Sequence, residues 1–153
     1  MRRARKWLWI VRLILPALIV GMAFGEQKDT IKAAFIYIGP ITDQGWTYAH
    51  ELSRQYAESQ LDYLETAYTE NVNPADAARV IRGYCEQDYD IIFTTSFELL
   101  DGALEVAKDY PNIVFEQHAG GYESAENVGR VFARLYQPYY LAGIAAGAMT
   151  ESN

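Results

Sequence analysis

The stretch that decides the fold is Ile31–Glu51, IKAAFIYIGPITDQGWTYAHE. Its first nine residues, Ile31–Gly39, are almost continuously apolar and rich in β-formers, as a strand buried on both faces should be. Gly39-Pro40 breaks that run, and a helix restarts near Gly45 and continues to about Ser59, with Ala49, Leu52 and Tyr56 on one face. Thr42, Asp43, Gln44 and Trp46 stand between the two elements. In a parallel sheet, ligands gather outside the carboxyl ends of the strands. A large aromatic and three polar side chains at such a handover therefore suit one wall of a small-molecule site.

The same alternation repeats downstream. LDYLETAY (residues 61–68) reads as a second strand, and NPADAARVIRGYCEQ as a helix capped by Asn73 with Pro74 in its first position. Ala77, Val80, Ile81, Tyr84 and Cys85 recur at helical spacing, so Cys85 reads as a small buried hydrophobe. YDIIFTT (residues 89–95) is the third strand. Ser96 is placed to cap a helix carrying Leu99, Leu100, Ala103, Leu104 and Ala107, which stops before Pro111. NIVFEQ (residues 112–117) is the fourth strand and NVGRVFARL (residues 127–135) the fifth. QPYYLAGIAAGAM is a final helix whose Gly143, Ala146 and Gly147 allow close packing. Such alternation predicts an α/β fold with a doubly wound parallel sheet. It sets Asp43–Trp46, Thr95–Phe97 and Gln117–Gly121 on one edge.

The first 25 residues stand apart. Arg2, Arg3, Arg5 and Lys6 precede the apolar run Leu13–Val20, and Ala23-Phe24-Gly25 has the pattern of a cleavage site. This reads as a secretory signal peptide, residues 1–25, ahead of one lobe at residues 26–153. A periplasmic location follows, with an uncleaved membrane anchor as the other reading. Without the five basic residues of that segment, eight basic residues remain against twenty acidic ones, a net charge of −12. A chain this acidic is a poor partner for phosphate backbones, and nucleic-acid binding is not expected. With one cysteine no internal disulfide can form, and with none near the cleavage site no lipid anchor is expected.

Catalytic signals are missing: the sequence has no nucleophile elbow, Walker loop or G-x-G-x-x-G turn after a strand. The two histidines, His50 and His118, lack metal-ligand spacing, so neither a metal site nor a cofactor is called for. His50 reads as a surface residue of the first helix. His118 is open to two readings, a ligand contact or a satisfied loop histidine. Asp43 can cap the helix, touch a ligand, or do both. Trp46 reads either as core or as a stacking platform.

Three blocks resemble the basic membrane protein (Bmp) family of ABC-transporter substrate-binding proteins: AAFIYIGPITDQGWTYAHE, IIFTTSFELLDGALEVAKDYPNIVFEQHAGG and NVGRVFARLYQPYYLAGIAAGAM. The family includes purine nucleoside and nucleobase receptors. The resemblance implies a type I periplasmic-binding-protein lobe, with a second lobe absent from these 153 residues. It implies a solute-binding component of an ABC importer that binds a purine base or nucleoside, performs no catalysis and works with a membrane permease. By position, Trp46 and then Phe97 are the ring partners it implies, with Asp43, Gln44, Ser96 and His118 as polar contacts. The nucleoside-binding branch carries a Ser-Phe-Asn-like segment where this chain reads TDQGW, which favours a free base over a nucleoside. One lobe with one ring is expected to bind weakly or not at all. A ligand-sensing protein coupled to a regulator is the alternative that shares the fold, and the signal segment argues against it.

Overall fold

The structure is a computed structural model that describes residues 30–151, positions 122 and 124 excepted. The signal segment therefore lies outside the described residues. Five strands form one parallel sheet: β1 Ile31–Ile36, β2 Leu64–Thr69, β3 Ile91–Thr94, β4 Val114–His118 and β5 Val128–Val131. Their order is β2-β1-β3-β4-β5, and every adjacent pair runs parallel. Four α-helices accompany them: α1 Trp46–Gln60, α2 Ala77–Cys85, α3 Leu100–Ala107 and α4 Tyr136–Met149. The doubly wound sheet expected from the alternation is thus observed. Its strand order reverses between β1 and β3, which puts the switch-point crevice between the loops that follow those two strands.

Alternation along the strands divides the two faces. Ala34, Ile36, Ile92 and Phe115 join Ala77, Ile81, Cys85, Leu99, Ala103 and Val106 in one buried apolar cluster. α2 and α3 pack closely over this face. A Cβ on Gly102 would lie 2.7 Å from that of Ala77, so the approach of the two helices requires glycine there. Cys85 is buried, as its spacing predicts, and burial raises its thiol pKa to about 11. Asn73 accepts the Ala75 N–H at 2.9 Å, with Pro74 opening the turn behind it.

The opposite face is aromatic and polar. Phe35 stacks on Phe93 at 4.6 Å, and Tyr37 on Tyr68 at 5.7 Å. α1 turns Thr47, Glu51 and Arg54 towards the sheet. Ala49, Leu52 and Tyr56, the face that sequence spacing groups together, point outward, and Tyr56 is 69% exposed. The polar side wins because each of its groups finds a partner. Arg54 reaches Glu51, Glu58 and Thr66, and Tyr37 donates to Glu51 at 3.1 Å.

Two further expectations are corrected. β5 ends at Val131, so Phe132 lies beyond the strand instead of inside it. α4 buries none of its residues, and nothing lies within 4 Å of a Cβ built on Gly143 or Gly147. The small residues of α4 do not serve close packing among the described residues. No helix among them is long and apolar enough to cross a membrane.

Candidate functional site

The carboxyl edge of the sheet gathers the loops after β1, β3, β4 and β5. The first loop is organised by Asp43. Its carboxylate accepts the N–H groups of Gly45, Thr47 and Tyr48 at 2.8, 3.0 and 3.0 Å. These donors would otherwise be unsatisfied at the start of α1. They hold the Asp43 carboxyl below the usual range, the Tyr48 N–H foremost. Asp43 is therefore a capping residue in this structure. Gln44 beside it is exposed and left-handed, with φ 53°.

Trp46 is the first residue of α1 and 37% exposed. Its indole N–H donates to the Thr95 carbonyl at 2.5 Å, tying α1 across the switch point to the end of β3. Its ring meets His50 edge-on at 4.8 Å, and His50 lies 4.8 Å from His118 at the end of β4. Phe93 closes the group, 6.0 Å from His118. His50 is thus half-buried in a ring cluster, not a surface residue. Residue 50 lies one helical turn after Trp46, on the same side of α1, and that spacing was the available signal. Burial first, and the facing His118 second, push the His50 pKa down to about 4. Burial lowers His118 as well. Both are neutral at pH 7, and a neutral imidazole offers one donor and one acceptor.

Ser96 precedes a short 3₁₀ turn, Phe97–Leu99, but its side chain makes no cap. Its hydroxyl instead donates to Glu98 Oε2, and its carbonyl accepts the Leu99 N–H at 3.0 Å. The Leu99 N–H is taken by that backbone carbonyl and the hydroxyl is engaged by Glu98, so the side chain does not cap. Phe97 is 64% exposed. It lines an open cleft of about 410 Å³ together with Ala119, Gly120, Gly121 and Phe132. Phe132 is 63% exposed. The apolar pattern of residues 127–135 suits a strand throughout, but β5 ends at Val131, so sequence pattern alone does not mark Phe132 as a cleft residue. Ala119, between His118 and the two glycines, is left-handed at φ 56°. Left-handed backbone is uncommon outside glycine and is less costly for Asn and Asp than for Gln or Ala. Gln44 and Ala119 both hold it on this edge, as strained functional loops do.

Of the six residues singled out from sequence, all lie on this edge, but they divide into groups. Asp43, Gln44 and Trp46 belong to the β1 loop, with Trp46 joined to His118 through His50. Ser96 and Phe97 belong to the β3 loop, and of the six only Phe97 lines the cleft. No group of three His, Cys, Asp or Glu side chains among the described residues is placed to hold a metal ion. The edge offers flat rings, neutral donor–acceptor groups and exposed loop backbone. That combination suits reversible binding of a ligand with apolar faces and a polar rim.

Residues 30–153 match the family described as ABC transporter substrate-binding protein, PnrA-like. A Haloferax volcanii protein that carries the name of an ABC transporter glucose-binding protein is 50% identical over 128 residues, which is 84% of this chain and 32% of the relative. A purine-binding protein of Brucella abortus strain 2308 is 39% identical over 144 residues, 93% of this chain and 40% of the relative. The chain thus spans well under half the length of either. An ABC-transporter solute-binding protein from Conexibacter woesei superposes with a TM-score of 0.67 at 20% identity, over 77% of this chain and 40% of that one, which supports the fold. On the family match and these two relatives, the chain belongs to the Bmp family of ABC-transporter substrate-binding proteins.

Proposed function

We propose that this chain supplies one wall of a purine-binding site in the extracytoplasmic receptor of an ABC importer, that it prefers a free base, and that it performs no chemistry. The observation that carries the reading is the cleft between Phe97 and Phe132, floored by Ala119, Gly120 and Gly121. Among the described lining residues the side chains are apolar and two of them are rings, while the Glu123 carboxylate lies beside Gly121. A planar heterocycle can lie against the rings and direct its polar edge to the loop backbone of Ala119, Gly120 and Gly121. Stacking on one aromatic ring is worth about 1–3 kcal/mol per base. A micromolar receptor needs about −8 kcal/mol, so further contacts and expulsion of water must supply the rest. In the complete receptor those contacts come from a second lobe, and the loaded protein delivers its ligand to a membrane permease.

A sugar is the second reading, favoured by the name of the Haloferax relative. A pyranose carries hydroxyls around its whole rim. A site for it needs several polar side chains, because unpaired hydroxyls are costly to bury. Among the described lining residues two are rings and none carries a polar side chain, which favours the heterocycle.

The test is a thermal-shift and calorimetric comparison of adenine, hypoxanthine, guanosine and glucose. It uses this chain and the protein extended to the length of its relatives. A rise in Tm with the bases in the extended protein, and little or none in this chain, is expected. A response to glucose alone would reject the purine reading.

A further inference from the structure

Gln117 is fully buried, one residue before the end of β4, on the face covered by α3. Its side-chain carbonyl accepts from Thr94 Oγ1, its register partner on β3. Its amide nitrogen faces three backbone carbonyls: Ser96 at 2.7 Å, Ala119 at 2.6 Å and His118 at 3.1 Å. Ser96 immediately precedes Phe97, and Ala119 opens the floor of the cleft. A Cβ on Gly120 would lie 3.1 Å from Gln117 Cγ, so the floor rests directly on this side chain. One carboxamide therefore joins the loop that carries a ring of the cleft to the loop that forms its floor.

We propose that Gln117 is a positioning residue for ligand binding: it fixes the Phe97 loop against the Ala119–Gly121 floor and holds Ala119 in its left-handed conformation. This rests on the cleft being the ligand site. The chemistry requires an amide. Glutamate has the same shape, but its carboxylate would face the three carbonyls with no proton to donate. Methionine fills the volume and removes both polar functions. The Ser96 carbonyl would keep only the Leu99 N–H, and the part-buried His118 and Ala119 carbonyls would lose this donor. An unmet carbonyl costs more than a hydrogen bond gains, so the loops should separate to reach water. Ala119 would then lose its reason to stay left-handed, a conformation glycine adopts without penalty.

The experiment compares wild type, Gln117→Met, Gln117→Glu and Gln117→Met with Ala119→Gly, in this chain and in the protein extended to its relatives' length. Hydrogen exchange is read at the amides of residues 97–99 and 119–121, with Ile92 and Phe115 as core references. Adenine affinity is read by calorimetry in the extended protein. The expected result is about tenfold faster exchange at both loops in each single variant, with the references unchanged. Adenine affinity should fall by about the same factor and recover in part when Ala119→Gly is added. Unchanged loop exchange, or acceleration that is equal throughout the chain, overturns the proposal and leaves Gln117 as core packing. If wild type binds no adenine, the purine reading fails while the exchange data still decide the role of Gln117.

Discussion

Arg54 and Glu51 pair at 2.7 Å on the buried side of α1, with side chains 9% and 5% exposed. The contact is a fork, since Arg54 Nε also donates to the second carboxylate oxygen at 2.8 Å. Tyr37 and Gln55 complete the set of donors to Glu51. Each charge is therefore both paired and hydrogen-bonded, the condition under which a buried ion pair is tolerated. Arg54→Met should destabilise the fold by about 3–5 kcal/mol, because it strands the Glu51 carboxylate against the sheet. Adding Glu51→Leu should restore much of that loss. Urea unfolding of the two variants checks this, and a stable Arg54→Met single variant would show that the pair does not hold α1 in place.

Acid should weaken the fold in two stages. His50 is held neutral, with its pKa lowered from 6.5 to about 4, so the unfolded chain takes up a proton that the folded chain refuses. Stability is therefore full above pH 6.5 and declines as pH falls towards about 4. His118, also lowered, adds to the same decline. Glu51, lowered chiefly by its bond from Arg54, acts in the opposite chemical sense but with the same outcome. Its contribution is present above its unfolded pKa and is lost as pH drops through the folded value. Tm measured from pH 8 to pH 3 should show a first decline below pH 6.5 that His50→Gln reduces. A profile unchanged by that variant would mean that His50 is not desolvated.

The strands, their order of appearance and the common edge were legible because buried parallel strands are continuous apolar runs separated by capped helices. The inward face of α1 was not legible. Ala49, Leu52 and Tyr56 look like a core stripe, yet the sheet below offers Tyr37, Tyr68 and Thr66, which reward polar partners. That reward depends on residues up to 17 positions away from Glu51 and is invisible to local periodicity. The site was legible as an edge but not as a cavity. Phe132 was hidden by a strand boundary, His50 by its place inside a helix, and Gln117 by facing the interior.

Asp43 tests whether capping and ligand contact can be separated. Asp43→Ala removes the acceptor for three N–H groups at the start of α1, those of Gly45, Thr47 and Tyr48, and should lower Tm by a few degrees. Asp43→Asn should keep most of the stability, since asparagine caps about as well. If the carboxylate serves the helix alone, adenine affinity of the extended protein should be nearly the same in wild type and Asp43→Asn. A large loss of affinity in Asp43→Asn at unchanged Tm would instead assign the charge to the ligand.

Phe132 separates the cleft from the Trp46 cluster. Its ring is 63% exposed, so Phe132→Ala removes little buried surface and should leave Tm nearly unchanged. If the ring stacks on the ligand, adenine affinity of the extended protein should fall by about 5- to 150-fold, the equivalent of about 1–3 kcal/mol. Phe97→Ala should behave in the same way. Trp46→Phe should instead lower Tm, because the Thr95 carbonyl loses its indole donor, a net effect of about 1 kcal/mol. Paired titrations and melts of the three variants check the assignment. Were Trp46→Phe to abolish binding while Phe132→Ala left it intact, the ligand would belong against Trp46, His50 and His118, and the cleft beside them would lose its role.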